Sequence, residues 1–336
     1  MKVKIGLTLI ICIAILLSCI AFGSVHIPIV NTIRILAYIL FRASLPDFIT
    51  PADVAIVWNL RLPRVLLAFL AGGALSVSGA VMQSVLRNPL ASSYTLGVSS
   101  GASLGASFVI FMGVSLPFFT LLTLPILGFI FGIGTILLVM AIVSKLDTRM
   151  ENHTIILTGM VLSLFVNAIT TLMFAFFRES TQRMIFWQMG SFSMKDWHTI
   201  YILAPIVIVG AIIVFRYKME LDIMTFGEEQ AQSVGLNIKR VKWSLLITSA
   251  AITGSAVSFV GVIGFVDLVV PHIVRRMFGS SHKHVIPLSA VIGGAFMALC
   301  DLAARTVTAP LELPVGAVTA IIGAPFFAYI YFSRRK

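Results

Sequence analysis

The sequence predicts an all-α integral membrane protein with about ten transmembrane helices and both termini in the cytoplasm. Three observations predict it. Of 336 residues, 59% are hydrophobic and 11% are charged, where a soluble domain carries about 25% charged residues. Mean hydropathy is +1.04. The apolar residues gather into runs near the length that crosses a ~30 Å hydrocarbon core, and short basic clusters separate them. The net charge of +11 therefore reads as topology signal and bilayer contact, not as a nucleic-acid footprint.

The first run, 5–22, follows Lys2 and Lys4. Its tail LLSC has the outline of a lipoprotein cleavage site. Leu17 is unusual just before such a cysteine, however, and the run is long enough to span, so a retained first helix is expected. Further runs follow at 65–85, 95–113, 118–144, 155–177, 199–215, 243–264, 285–303 and 315–332. The section FVDLVVPHIVRR, 265–276, reads either as a short tenth crossing or as a tail of the run before it. Parity favours ten, because Lys2 and Lys4 at one end match Arg334, Arg335 and Lys336 at the other. With ten crossings, sixteen of the 24 Lys and Arg fall at inside ends; eight fall outside, namely Arg34, Arg42, Arg61, Arg64, Arg178, Arg183, Lys195 and Arg305. That imbalance supports the orientation. With no soluble domain, internal repeat or low-complexity tract, residues 1–336 read as one transmembrane domain.

Small residues recur at helical spacing where close packing in lipid needs them. Gly72, Ser76 and Ala80 mark the second run, Gly97, Gly101 and Gly105 the third, and Gly316, Ala320 and Ala324 the last. Packing within one subunit is the expected use. Cys12, Cys19 and Cys300 lie singly in apolar runs, so neither a disulfide framework nor a metal site is expected.

Three features point beyond packing. The inside loop at about 220–242 is too polar for lipid yet carries helix punctuation. Thr225 with Glu228 has the spacing of a capping box, Gly235 suits a helix stop, and Gly227 and Ala231 keep the short helix slim. It reads as a helix gripped by another protein or as an ordinary solvated loop helix. The second feature is the outside arginines, Arg61 and Arg64 in WNLRLPR and Arg305 in DLAARTV, which run against the topology bias. Asp301 and Arg305 have the i, i+4 spacing of a helix-surface pair. The third is Asp267, a carboxylate at hydrocarbon depth costing ~2.5–3.5 kcal/mol at mid-helix; an ion-coupled carrier would use such a residue, with His272 as a relay partner. No G-x-x-x-x-G-K-[ST] loop and no Ser–His–Asp or H-E-x-x-H arrangement is present, so neither ATP binding by that loop nor hydrolytic catalysis is expected of this chain.

The long motifs RLPR with GGALSVSGAVMQSVLRNPLASSYTLGVSSGAS, GEEQAQSVGL, GVIGFVDLVVPHIVRR and LSAVIGGAFMALCDLAARTVTAPLELPVGAVTAIIGAPFF follow one another along nearly the whole chain. In order and spacing it resembles the permease subunits of bacterial ABC importers for iron–siderophores and cobalamin, the FecCD family. The resemblance implies a non-catalytic, multi-pass subunit of the bacterial cytoplasmic membrane. Its partners would be a second permease subunit (related or identical), two cytoplasmic ATPases that use the ATP, and an extracytoplasmic substrate-binding protein. No cofactor, metal or nucleic acid is expected on this chain. Carried over position by position, the family's coupling helix implies that role for Gly227, Glu228, Glu229, Ala231 and Gly235. Its docking arginines correspond to Arg61, Arg64 and Arg305, which would receive acidic groups of the binding protein. The second run's small-residue face and the fifth run are expected to line the pathway. Iron(III)–siderophore is the expected cargo, with cobalamin or haem as the alternative and an ion-driven carrier through Asp267 as the rival. The family usually has glycine where this chain has Asp267.

Overall fold

The structure, a computed structural model, describes residues 1–23, 25 and 27–333, so Arg334, Arg335 and Lys336, used above for parity, lie outside the described residues. Its helices are α1 Lys2–Ala21, α2 Ile29–Phe41, α3 Pro51–Ala55, α4 Leu62–Val85, α5 Val98–Met112, α6 Thr123–Leu146, α7 Asn152–Phe176 and α8 Thr181–Gln188. They continue with α9 Trp197–Arg216, α10 Lys218–Met224, α11 Glu228–Ser233, α12 Ile238–Val260, α13 Val266–Phe278, α14 His282–Thr306 and α15 Val315–Ser333. No strand occurs among the described residues. A π-helical stretch, Ile56–Arg61, joins α3 to α4 into one 35-residue helix. Pro63 explains the local widening, because it has no N–H to give to the carbonyl four residues back.

Among the described residues, seven helices are long and apolar enough to cross a membrane: α1, Pro51–Val85, Thr120–Leu146, α7, α9, α12 and α14. The expected third run becomes the 15-residue α5, about 22 Å long and short of a full hydrocarbon core. The ambiguous section is a separate helix, α13, divided from α12 by Gly261 at φ +81° and Phe265 at φ +70°. Helix α2 was not expected at all, since its 13 residues cannot span and carry Arg34 in their middle.

Helix α4 forms the axis of the core and is buried along nearly its whole length. Its small-residue face meets α14: a Cβ at Gly72 would lie 2.3 Å from the Gly293 carbonyl oxygen, and one at Gly293 would lie 1.9 Å from Ser76 Oγ. On another side a Cβ at Gly79 would lie 1.9 Å from the Asp267 carbonyl oxygen of α13. Gly97, Gly101 and Gly105 lie against α6, with Thr135 and the Leu127 carbonyl within 2.1–2.7 Å of where their Cβ atoms would be. Hydroxyls bond across the core as well: Thr253 of α12 with Ser78 of α4 at 2.8 Å, and both with Ser93 of the α4–α5 connection at 3.0 and 2.8 Å. Such contacts hold helices together where lipid provides no hydrophobic drive.

This packing corrects one expectation. The small-residue face of α4 cannot line a pathway, because α14 covers it. Helix α7, by contrast, leaves Leu157, Val161, Leu164 and Phe165 exposed. Exposed apolar rows of this kind belong against lipid or another subunit.

Candidate functional site

Two polar constellations sit at the two ends of α4. At its first end the π-helical stretch turns Arg61 inward, onto the last turn of α1. Its guanidinium donates to the carbonyls of Ile20, at 3.2 Å, and of Ala21 and Val25. Arg305, near the end of α14, donates to the Cys19 carbonyl. Both arginines thus meet the negative end of the α1 dipole and satisfy carbonyls that a helix end leaves unpaired. Both are buried.

Arg64, one turn on, is clamped by two carboxylates. Its Nε donates to Asp301 Oδ1 at 2.9 Å, while Nη1 and Nη2 donate to Glu312 Oε1 and Oε2 at 2.7 and 3.1 Å. The sequence spacing put Asp301 with Arg305, and that pair exists at 3.5 Å. Asp301's hydrogen bonds, however, go to Arg64. The fork from Arg64 is the main cause that holds the Glu312 carboxyl below the usual glutamate range. A cavity of about 440 Å³ opens here, walled by Arg61, Arg64, Lys195, Arg305 and Glu312 with Phe192 and Met194. Burial lowers the Lys195 ammonium from its ordinary value. The structure therefore brings Arg61, Arg64 and Arg305 together in one wall and adds Lys195 and Glu312, which no local pattern had linked to them.

At the other end of the molecule lie α10 and α11. Helix α11 starts at Gly227, whose φ of +130° excludes a side chain, and no side chain caps it. The expected capping box is absent. Thr225 closes α10 instead, its hydroxyl donating to the Asp222 carbonyl at 2.6 Å. Glu228 is drawn away to Lys242, whose fully buried ammonium lies 2.8 Å from Oε1 and donates to the Met150 carbonyl at 2.7 Å. The turn presenting that carbonyl is shaped by Asp147, which accepts backbone N–H groups of Glu151 and Arg149 at 2.7 and 2.9 Å. Those bonds, led by that from Glu151, hold the Asp147 carboxyl below its usual range. Helix α11 ends as Gly235 suggested: at φ +87° its N–H bonds to the Gln232 carbonyl, and Leu236 N–H to that of Ala231, at 2.9 and 3.0 Å. Ala231 is buried and Glu229 exposed, while Phe226 and Val234 stand out into solvent.

A second link, unseen in the sequence, ties α10 to the core. Asp222 Oδ1 accepts the His282 backbone N–H at 2.8 Å and lies 2.5 Å from His282 Nδ1. His282 Nε2 lies 2.7 Å from Ser84 Oγ of α4. Arg275 of α13 donates to the same Ser84 hydroxyl at 3.0 Å. Four helices thus meet through one chain of bonds.

Asp267 sits in the first turn of α13, not at mid-helix. It is buried, and its Oδ2 has no hydrogen-bond partner among the described residues. His272, the relay partner expected for it, lines a cavity toward the other end of α13. No group of three or more His, Cys, Asp or Glu that could hold a metal ion occurs among the described residues.

Comparison with known proteins gives a consistent result. The model of the FecCD transport family matches residues 9–333. The chain is 40% identical over 94% of its length to an ABC transporter permease protein, YvrB, of Bacillus subtilis, covering 90% of that protein. It is 35% identical over 88% of its length to the cobalamin import system permease protein BtuC of Halobacterium salinarum, covering 78% of it. Against the Fe(3+)-citrate import system permease protein YfmE of Bacillus subtilis the figures are 36%, 84% and 83%. A solved structure described as an inward-facing metal-chelate type ABC transporter superposes with TM-score 0.84 at 28% identity, covering 99% of both chains.

Proposed function

The chain belongs to the FecCD transport family, and from that membership we propose that it is the permease subunit of an ATP-driven importer moving an iron(III)–siderophore complex across the bacterial cytoplasmic membrane. On this reading the seven long helices, with α5, α13 and α15, make ten crossings with both termini in the cytoplasm. The short helices are accommodated by local bilayer thinning. A second permease subunit completes the pathway, with the exposed face of α7 turned toward it. Two ATPases grip α11 and bind the ATP. Their closure moves Gly227, Glu228, Glu229, Ala231 and Gly235 as a unit, and the pathway alternates between outward and inward openings.

The observation that carries the reading is the outer cavity. Four cations, Arg61, Arg64, Lys195 and Arg305, line it with one carboxylate, Glu312, and even with Asp301 behind Arg64 and Arg305 the cluster keeps an excess of positive charge. That balance suits acidic groups on a docking partner and sets its orientation. Arg61 and Arg305 form the floor through their bonds to α1, while Arg64 and Lys195 stand nearer the partner. The Fe(3+)-citrate relative and the metal-chelate structural neighbour support the iron cargo; cobalamin or haem is the alternative, supported for cobalamin by the Halobacterium relative.

The test is uptake of radiolabelled iron–siderophore together with capture of the binding protein. Lys195→Glu, which leaves Arg64 on Asp301 and Glu312, is expected to lower both sharply while the membrane level holds. Unchanged uptake removes the docking assignment. Arg61→Glu is the poorer probe, because it strips the α1 carbonyls of their donor. A second reading, an ion-driven carrier, is favoured only by the unpartnered Oδ2 of Asp267. Uptake that survives Asp267→Asn but stops with a hydrolysis-dead ATPase eliminates it.

A further inference from the structure

Where α4 ends, and where α13 gives way to α14, a second cavity opens with a volume of about 600 Å³. Arg87, His272, Arg275, Arg276 and His282 line it, with the hydroxyl of Ser84. Among the described residues no carboxylate lines it. Asp222, the acidic group beside it, is already committed to His282. Arg275 spends its donors on neutral acceptors only, the Gln83 amide oxygen, the Ala80 carbonyl and the Ser84 hydroxyl. The exposed guanidinium groups of Arg87 and Arg276 take no partner among the described residues.

The backbone at Arg87 is a separate observation. The N–H of Asn88 returns to the Gln83 carbonyl at 3.2 Å, which makes Arg87 the residue just past the helix. Glycine ordinarily fills that place, since the backbone there is left-handed; Arg87 adopts φ +50° with a full side chain. An unfavourable backbone here is matched with a charge delivered to the rim of a cavity without counter-ions. The cavity lies where α4 and α13 end and α14 begins, and on the topology proposed above such helix ends sit at the depth of the bilayer's phosphate layer. Arginine forks match phosphate oxygens in geometry as well as charge, and basic pockets between membrane helices hold anionic headgroups.

We propose that this cavity binds a phosphate-bearing anion, either the headgroup of an anionic phospholipid or free phosphate, between Arg87 of the α4 end and Arg276 of α13. The bound anion joins these two elements beside the Asp222–His282–Ser84 link, so it stiffens the junction through which α10 touches the core. The inference rests on the chain's place in a membrane, not on its cargo or its direction of transport.

The test uses the purified full-length protein, alone and assembled with its ATPases. Native mass spectrometry compares phosphatidylglycerol with phosphatidylcholine of the same acyl chains, and thermal shifts compare inorganic phosphate with chloride at equal ionic strength. Each arginine near a headgroup contributes about fivefold in affinity, so Arg87→Gln with Arg276→Gln lowers anion retention roughly 25-fold. Arg87→Gly separates binding from folding. It relieves the left-handed backbone, so the anion-free protein melts at the same or a higher temperature, yet anion retention falls about fivefold. Preference for phosphatidylglycerol without a phosphate shift identifies the lipid as the source, and the reverse identifies free phosphate; both support the site. Equal retention of both probes by wild type and the double variant overturns it. So does a variant that changes only ATPase capture, which would assign the cavity to a protein carboxylate. Neither result bears on siderophore uptake, so the site can fail while the importer reading stands.

Discussion

At one end of α4 the carboxylate of Asp301 sits between Arg64 and Arg305, and all three belong to long, buried helices. At the other end the carboxylate of Glu228 reaches Lys242 from a six-residue helix. From Arg64 to Ser84 the two ends lie about 30 Å apart by helix rise. Both bury a cation, but the elements they join differ. On the proposed topology the Arg64 end is the outer one and the Glu228 end the inner one; the outer group welds α1, α4 and α14, which already pack on one another. The inner groups fasten α10 and α11, too short to persist alone. Removing a charge should therefore lower global stability at the outer end, and at the inner end it should release a short helix while the core survives.

The hardest test of that contrast is Asp301→Asn. The amide keeps the shape but leaves Arg64 and Arg305 sharing a buried neutral group. Breaking a buried pair in this way costs about 3–5 kcal/mol, read as thermal or denaturant stability of the full-length protein in detergent. A loss below about 1 kcal/mol would mean that the outer end is no weld, and the contrast breaks.

Glu228→Gln comes next. Lys242 keeps the Met150 carbonyl, and Glu228 is 24% exposed, so water shares the load. A charge-assisted bond of this kind contributes about 1.5–3 kcal/mol. Hydrogen exchange should accelerate in 226–236 while the core of α4 stays protected, and ATPase capture should fall. Global melting in its place would make the inner end another weld. Asp222→Asn is milder, at about 1 kcal/mol or less, because the amide oxygen still accepts the His282 N–H. Faster exchange confined to 218–224 is the expected sign.

The contrast also shows what could be read without coordinates. Apolar runs and small-residue spacing gave the helices and their tight faces, because lipid makes both conditions strict. The outer arginines were visible for the same reason: Arg61, Arg64 and Arg305 stood against a strong topology bias. Pairings over long sequence distances left no local trace, so Glu312 on Arg64 and His282 between Asp222 and Ser84 had no signal to find. The Thr225–Glu228 box failed for a related reason. Its spacing was correct, but Lys242, which no short-range rule connects to Glu228, offered the carboxylate a full charge in a buried setting, and the Thr225 hydroxyl turned back to α10. Helix α2 was missed because spanning length was the criterion and 13 residues do not meet it.

The smallest effect belongs to Glu312, and it sharpens the outer end specifically. Its folded carboxyl is held below the usual glutamate range, chiefly by Arg64, so the folded state favours the ionised form. The stabilisation is therefore complete above the unfolded value and disappears as pH falls through the folded one. The side chain is 39% exposed, and solvent screening keeps the contribution under about 1 kcal/mol. From about pH 6 to about pH 3.5 wild type should lose slightly more stability than Glu312→Gln, and added salt should shrink the difference. If the two curves run parallel, Arg64 is held by Asp301 alone. Glu312 would then be a gate on the cavity, leaving Arg64 whenever a partner's carboxylate arrives, and the variant should raise binding-protein capture without touching stability.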